Sequence, residues 1–474
     1  MEQEAERFPR WGRLALCVGA ATAIWLSPGP AGLPADGWHT FAIFVGVVSG
    51  FLLRPLEMAP IVLLGLTVLV LSGTADIAFA IGSGFGNKTV WLVVAAFLIA
   101  GAVERTGLGR RIALLLLLSL GRSVLGLAYA ISATELVLGP FIPSNTARGG
   151  GIIAPVVKSL ATTLESQETG GKRRGGAYLA QVGSHSNLVC SAMFLTAMAG
   201  NLLLVAPAKE ILGVDWDFAT WLKGSIVPGL VGLSIVPLCL YVVERPQVSN
   251  LAAVRSQVRE QLRALGRWSR QEILLAGILV LLLVLWSLSK RFDVYPTTIA
   301  FVGILLIILA GVQSWKDIVS TRGAWDALIW LGGFVALAEA LKTTGLTSWM
   351  QTFIQGKIAG GEPLSTTLVL GLVYFASMYF FSQLTAHITA LAAVFLALAH
   401  TAEAPPYFAL AIISYSSSLC GAMTPWSSGP VIIYFGFGYV SVGRWMRNGH
   451  VVALCQIAVW LGLGMIWWKF LGWW

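Results

Sequence analysis

The feature that most limits what this chain can become is a set of long, uninterrupted apolar runs. "WLVVAAFLIAGAV" (91–103), "EILLAGILVLLLVLWSL" (272–288) and "TIAFVGILLIILAGV" (298–312) approach the roughly 20 residues a helix needs to cross hydrocarbon. No water inside a bilayer satisfies a backbone N–H or C=O, so a spanning segment must be a helix or part of a closed barrel. Barrel strands alternate apolar and polar residues over about ten positions, and these runs do not alternate. The chain is 57% hydrophobic and 11% charged, whereas soluble domains carry about 25% charged residues. The expected fold class is all-α: a polytopic membrane protein with about 11 transmembrane helices.

The net charge of +9 would suggest a nucleic-acid partner in a soluble protein. In a membrane protein the placement of basic residues matters instead, because they concentrate in cytoplasmic loops. With alternating spans, 22 of the 31 Lys and Arg fall on one side, among them Arg10, Arg54, Arg105, Arg110, Arg111, Lys158, Lys172, Arg173 and Arg174. Eight fall on the other, including Lys290 and Lys357. The bias predicts a cytoplasmic N-terminus, an outer C-terminus, an odd number of crossings and a lipid bilayer rather than nucleic acid as surroundings. Residues 7–31 could pass for a secretory signal, but Glu2, Glu4 and Glu6 interrupt the basic start and no small-residue cleavage site follows closely, so a retained first span is expected. The five cysteines lie in apolar segments without metal-like spacing; no disulfide framework, metal or cofactor is implied.

The chain repeats itself. "SHSNLVCSAM" (184–193) lies over "SYSSSLCGAM" (414–423), "TGL" at Thr106 recurs at Thr344, and "NTAR" (145–148) lies over "LTAH" (384–387). Three matches in register are hard to obtain by chance, and they divide the chain into a first inverted repeat (1–244), a linker (245–271) and a second inverted repeat (272–474). The linker's Arg255, Arg259, Arg263 and Arg267 recur every four residues beside Val254, Val258, Leu262 and Leu265. An amphipathic helix on the anionic cytoplasmic leaflet is expected there, or equally a solvated linker helix.

"PSNTARGGG" (143–151) is polar and glycine-rich, set in an apolar segment too short for two comfortable spans. It reads as the tip of a re-entrant hairpin over about 123–160, because irregular backbone at membrane depth survives only where it lines a cavity or is buried in protein. A helix starting near Gly150 would aim free N–H groups at the turn, and Ser144, Asn145 and Thr146 add neutral donors suited to a carboxylate. A second copy, "MYFFSQLTAHITALAAVF" (378–395), sits in a hairpin over about 364–400 and offers Gln383, Leu384 and Thr385. Two tips meeting at the centre would suit a substrate with a carboxylate at each end.

Each tip carries a potential cation two residues beyond its threonine, Arg148 and His387. These are candidates for supplying positive charge that a sodium-driven carrier would take from bound Na⁺, which would favour exchange over net uptake. The alternative for Arg148 is a salt bridge to Glu135 on the incoming arm, and for His387 a hydrogen-bonded interior histidine. "FLTAMAGN" (194–201) and "MTPWSSGPV" (423–431) break apolar helices with Pro, Gly and hydroxyl residues, making Thr196, Asn201, Thr424, Pro425 and Ser427 secondary contact candidates; a proline kink with local hydroxyl bonds is the competing explanation. An intramembrane hydrolase using Ser184 or Ser382 with His185 or His387 would need a nucleophile elbow or zinc signature that the sequence lacks. A passive anion channel would not need two polar tips.

With these residues in hand, the sequence resembles the divalent anion/sodium symporter family, in its citrate/succinate and 2-oxoglutarate/malate antiporter branch. The resemblance rests on "VWLVVAAFLIAGAVERTGLGRRIAL", "PFIPSNTARGGGIIAPVVKSL", "LTAMAGNLL", "WDALIWLGG", "LTAHITAL" and "TPWSSGPVIIYFGFGY". It implies a homodimer in a bacterial plasma membrane, a scaffold domain and a mobile transport domain moving as an elevator, and di- or tricarboxylate substrates held by the tips. It also implies that Arg148 and His387 stand in for sodium; a sodium-coupled dicarboxylate symporter is the nearest rival. Gln383, preceded by Ser382, departs from the small or hydroxylated residue usual in that branch, takes up room, and favours dicarboxylates over citrate.

Overall fold

The computed structural model describes residues 7–167, 175–246, 251–289, 291–346, 348–349, 362–381 and 383–474. Glu2, Glu4, Glu6, Lys172, Arg173, Arg174, Lys290, Lys357 and Ser382 lie outside the described residues.

Among the described residues every regular element is helical. The chain opens with α1 (Arg7–Leu26), α2 (Ala35–Leu53), α3 (Met58–Leu71), α4 (Ile77–Phe85) and α5 (Lys88–Thr106). Asp76 and Asn87 start α4 and α5 by accepting from the backbone N–H of Phe79 and Thr89, and Gly107 (φ 75°) ends α5 in the left-handed conformation. After α6 (Leu108–Leu120) comes α7 (Val124–Leu138), capped by Ser123, then a π-helical turn (Thr146–Ile153) and α8 (Ala154–Gln167). α9 (Gly175–Met193), two short 3-10 turns, α10 (Val205–Leu212), α11 (Phe218–Glu244) and the linker helix α12 (Ala252–Ala264) follow. The second half runs α13 (Arg270–Leu288), α14 (Pro296–Leu309), α15 (Trp315–Val319), α16 (Arg322–Thr343), α17 (Pro363–Ser377), α18 (Leu384–His387), a π-helical turn (Ile388–Ala392) and α19 (Ala393–Thr401). It closes with α20 (Pro406–Leu419), α21 (Gly429–Phe435), α22 (Val442–Ala458) and, beyond a further π turn, α23 (Gly464–Phe470).

Seven helical stretches among the described residues are long and apolar enough to cross a membrane: Ala35–Leu53, Lys88–Thr106, Phe218–Glu244, Arg322–Thr343, Pro363–Phe380, Leu384–Thr401 and Val442–Phe470. Met58–Leu71, Val124–Leu138 and Pro296–Leu309 are apolar but shorter.

In one group of helices, α16 packs on α3, α4 and α5. A Cβ added to Gly84 would come within 2.1 Å of the Gly332 carbonyl, and one on Gly333 within 2.3 Å of Val62, so small residues set this close approach. A second group surrounds α9, all of whose residues are buried. It touches α7, α8, α11, α20 and α21. At one end of α9 the buried Glu244 carboxylate accepts from Gln181 at 2.8 Å and from Asn448 and Arg444, so an interior charge is paired and locks α9, α11 and α22 together.

The linker forms an amphipathic helix, and its apolar stripe meets protein. Val254 and Val258 are buried among α12's neighbours α6 and α8, not left for lipid. Gln257 and Gln261 donate to Ser159 of α8 at 2.7 and 3.0 Å, and Gln257 accepts from Thr163 at 2.8 Å. The apolar stripe therefore docks on protein, while Arg259, Arg263 and Arg267 remain exposed. Buried Arg111 of α6 fixes the exit: it donates to the carbonyls of Leu265, Gly266 and Arg267 and to Glu272 at 2.7 Å, the same Glu272 that forms a capping box with Ser269 at the start of α13.

Candidate functional site

The first tip is built by the break between α7 and the π turn. Ser144 is half-buried; its hydroxyl accepts from Ala147 N–H at 3.1 Å and its carbonyl accepts from Arg148 N–H at 2.9 Å. Helical backbone thus starts at Asn145 and Thr146, not near Gly150, and the three glycines fall inside the helical turn. A Cβ on Gly149 would lie 2.5 Å from Asn187 Nδ2, and one on Gly150 would lie 2.4 Å from Ile433, so these two glycines admit neighbouring side chains.

Arg148 is fully buried, and its guanidinium is committed to the protein. Nε pairs with Glu135 at 2.6 Å, Nη1 donates to the carbonyls of Ile142 (2.9 Å) and Ala197 (2.7 Å), and Nη2 donates to Ser191 at 3.1 Å. Glu135 is completed by Asn187 at 3.1 Å, which also donates to the Asn145 carbonyl at 3.2 Å. Of the two readings of Arg148, the salt bridge to Glu135 is present, and the pair is neutral as a unit. Its donors nonetheless gather carbonyls from the two broken segments, one on each side of the site.

The second tip repeats this wiring with an imidazole in place of the ion pair. His387, also fully buried, places Nε2 3.1 Å from the Tyr374 carbonyl and 2.8 Å from Ser377 Oγ, so that nitrogen carries the proton. Its ring lies against Tyr374 and Phe381. Tyr374 in turn bonds Ser417 of α20 at 2.8 Å. Gln383 and Thr385 are half-buried and Leu384 is buried.

The tips converge on short stretches of broken helix. Leu384 N–H donates to the Ser427 carbonyl at 2.8 Å, and two residues on, a Cβ at Gly429 would sit 2.3 Å from Thr146 Oγ1. Both tips therefore meet the 424–429 segment. The second tip also meets the first half's break, since a Cβ on Gly200 would lie 2.9 Å from Ile388 and 3.6 Å from Thr385 Oγ1.

The secondary candidates divide. Thr196 donates to the Pro140 carbonyl at 2.9 Å, Asn201 donates to the carbonyls of Ser191 (2.7 Å) and Phe194 (3.1 Å), and Ser427 donates to Gly421 at 2.6 Å. These three brace the breaks with their side chains. Thr424 is buried with a hydroxyl lacking a partner among the described residues, as is Ser428, and Pro425 is buried between them in the chain. Asn187, Tyr374 and Ser417 escaped notice in the sequence, although Asn187 and Ser417 occupy matching places in the aligned "SHSN" and "SYSS". The histidines of the hydrolase reading bond elsewhere, His185 Nδ1 to the Gln181 carbonyl at 2.7 Å and His387 to Ser377, and the Ser184 hydroxyl has no partner among the described residues. No group of three or more His, Cys, Asp or Glu among the described residues could hold a metal ion.

Comparison with known proteins places this geometry. Residues 9–474 match the family model described as the sodium:sulfate symporter transmembrane region. YflS of Bacillus subtilis, whose name refers to malate transport, is 40% identical over 462 residues, covering 97% of this chain and 96% of its own. The chloroplastic dicarboxylate transporter 1 of Arabidopsis thaliana is 35% identical over 96% of this chain and 82% of its own. The L-tartrate/succinate antiporter of Escherichia coli (strain K12) is 32% identical over 96% of this chain and 98% of its own. Among solved structures, the YdaH transporter of Alcanivorax borkumensis superposes with a TM-score of 0.58 at 12% identity, over 83% of this chain and 88% of that one, a likeness of fold alone. With the family matched over nearly its full length, the chain belongs to the sodium:sulfate, or divalent anion/sodium, symporter family and is a membrane transporter rather than an enzyme.

Proposed function

We propose that this chain exchanges dicarboxylates across the membrane without sodium, binding one carboxylate at each tip. The observation that carries the reading is the pair of buried nitrogen donors, Arg148 and His387, already bonded to the carbonyls of Ile142, Ala197 and Tyr374. A bound cation would gather such oxygens in a sodium-driven carrier; here side chains do it, and the site is assembled before any ion arrives. The names of the relatives, which refer to malate, to dicarboxylates and to tartrate with succinate, support the substrate class. Gln383, longer than a serine or threonine, narrows the second tip and favours a four-carbon dianion over citrate. Donors left without a carboxylate cost about 1 to 3 kcal/mol each when desolvated, so an empty carrier crosses poorly and exchange is preferred to net uptake.

The same reading takes the helices around α16 as the scaffold and those around α9 as the transport domain, moving as an elevator in a homodimer with a cytoplasmic N-terminus. Thr146 and Thr385, with Ser144, Asn145, Gln383 and Leu384 beside them and Thr424 and Ser428 behind, are its substrate-contacting residues. Reconstitution tests it: vesicles preloaded with succinate and offered labelled di- and tricarboxylates should exchange dicarboxylates equally with and without sodium. Uptake into empty vesicles that requires sodium would replace this reading with a symporter.

A further inference from the structure

Of the five cysteines, Cys17, Cys190 and Cys420 are buried apart from one another, whereas Cys239 of α11 and Cys455 of α22 are half-buried and meet. Cys455 Sγ donates to Cys239 Sγ at 3.7 Å, although the two stand 216 residues apart in the chain. Their spacing along the sequence implies no disulfide framework; only the fold brings them together. Neither thiol belongs to a tip or to a helix break, and nothing in the binding of a carboxylate uses them.

The contact is held from both sides. On one side the Glu244 carboxylate of α11 takes Arg444 and Asn448 of α22; on the other, Gln456 donates to the Gly232 carbonyl at 2.9 Å, and farther along Trp468 of α23 donates to the Gly224 carbonyl at 2.9 Å. The helices thus run antiparallel, with the thiols between two clamps, and a Cβ on Gly232 would lie 2.4 Å from Gln456 Oε1, so the approach there is close. An S–S bond of about 2.05 Å asks the sulfurs to come about 1.7 Å nearer, which side-chain rotation supplies while the helices stay in place. Leu238 and Leu454, beside the cysteines in sequence, and Val242, one turn on, are exposed apolar residues of a membrane protein. A reagent that reaches the pair therefore arrives through the acyl chains.

We infer that Cys239 and Cys455 form an oxidation site at which a lipid-soluble organic hydroperoxide converts the two thiols to a disulfide, tying α11 to α22 and stabilising the folded chain. In the first step the O–O bond breaks as the terminal oxygen, with its hydrogen, passes to one sulfur; an S–O bond forms, and the thiol proton leaves with the alkoxide as an alcohol. The second thiol then attacks that sulfur, the S–O bond breaks, the S–S bond forms, and hydroxide takes the second thiol proton to leave as water. Two thiols lose two electrons in all, and the peroxide is reduced to alcohol and water. Such bonds form in seconds to hours according to the oxidant. A cross-link confines the unfolded chain more the longer the loop it closes, and this one closes a loop of 216 residues. The bond forms whatever the chain carries.

Thiol counting on the full chain tests this. The protein in lipid vesicles is treated with tert-butyl hydroperoxide and then unfolded; its free thiols are labelled with a maleimide and counted by mass, and its peptides are mapped. The count should fall from five per chain to three, with one disulfide-linked peptide pair containing Cys239 and Cys455, and dithiothreitol should restore five. Oxidation should raise the melting temperature in detergent by several degrees, and reduction should return it. Cys239→Ser and Cys455→Ser, with the alanine variants as apolar alternatives, should each abolish the linked pair and the rise in melting temperature. Five free thiols after treatment, a loss that dithiothreitol does not reverse, a linked pair joining other cysteines or two chains, or an unchanged melting temperature overturns the inference.

Discussion

The two hairpin tips are wired alike and charged differently. In the first, Arg148 reaches back thirteen residues to the side chain of Glu135; in the second, His387 reaches back thirteen residues to the backbone of Tyr374. In each, the earlier residue is held by a side chain from the long helix behind it, Glu135 by Asn187 and Tyr374 by Ser417. One half solves the problem of a broken helix with a buried ion pair, the other with an imidazole and a phenol. The two tips therefore share geometry more tightly than chemistry: what must be satisfied is a set of carbonyls, and either an ion pair or an imidazole can do it.

The sharpest way to break this comparison is Arg148→Ala. It strands Glu135 as an unpaired buried carboxylate, so exchange should vanish and stability should fall by about 3 to 5 kcal/mol, visible as a lowered melting temperature in detergent. Glu135→Gln with Arg148→Met should recover much of the stability but not the exchange; recovery of both would remove the pair from the site. His387→Ala leaves no charge behind and should cost about 1 to 3 kcal/mol, with exchange reduced more than ten-fold. If His387→Ala proves as destabilising as Arg148→Ala, the distinction between the tips fails.

Next come the glycines where each tip meets the opposite break. Gly429→Ala drives a methyl toward Thr146 Oγ1 at 2.3 Å, whereas Gly200→Ala meets the flexible end of Ile388 at 2.9 Å. Gly429→Ala should cost about 1 to 3 kcal/mol and most of the exchange, Gly200→Ala clearly less, measured by melting and by initial rate. The smallest effect is expected of Gln383→Ser, which enlarges the second tip and should shift the citrate-to-succinate rate ratio upward about 10-fold or less. An unchanged ratio would place substrate selection elsewhere.

Much of this was legible beforehand. The apolar runs imposed helices, and the polar breaks at 143–151, 194–201, 382–385 and 423–431 had to be protected by protein. The pairing of Arg148 with Glu135 could be posed from spacing, but not chosen over a free arginine. The glycines misled about where the helix starts, because a glycine in a helix and one in a turn look the same until Asn187 and Ile433 are packed against Gly149 and Gly150. Likewise the stripe of Val254 and Val258 fits a lipid surface as well as α6 and α8.

By itself, then, the sequence determined what the bilayer demands locally: continuous helices through hydrocarbon, and polar breaks only where protein or ligand can satisfy them. These follow from short-range patterns, since backbone hydrogen bonding in a helix spans four residues. Which side chains complete the breaks, and whether a buried cation is spent on its own protein, depended on contacts between segments dozens of residues apart, such as Asn187 with Glu135 and Leu384 with Ser427. Only packing brings those partners within hydrogen-bonding distance, and only the tertiary structure decided them.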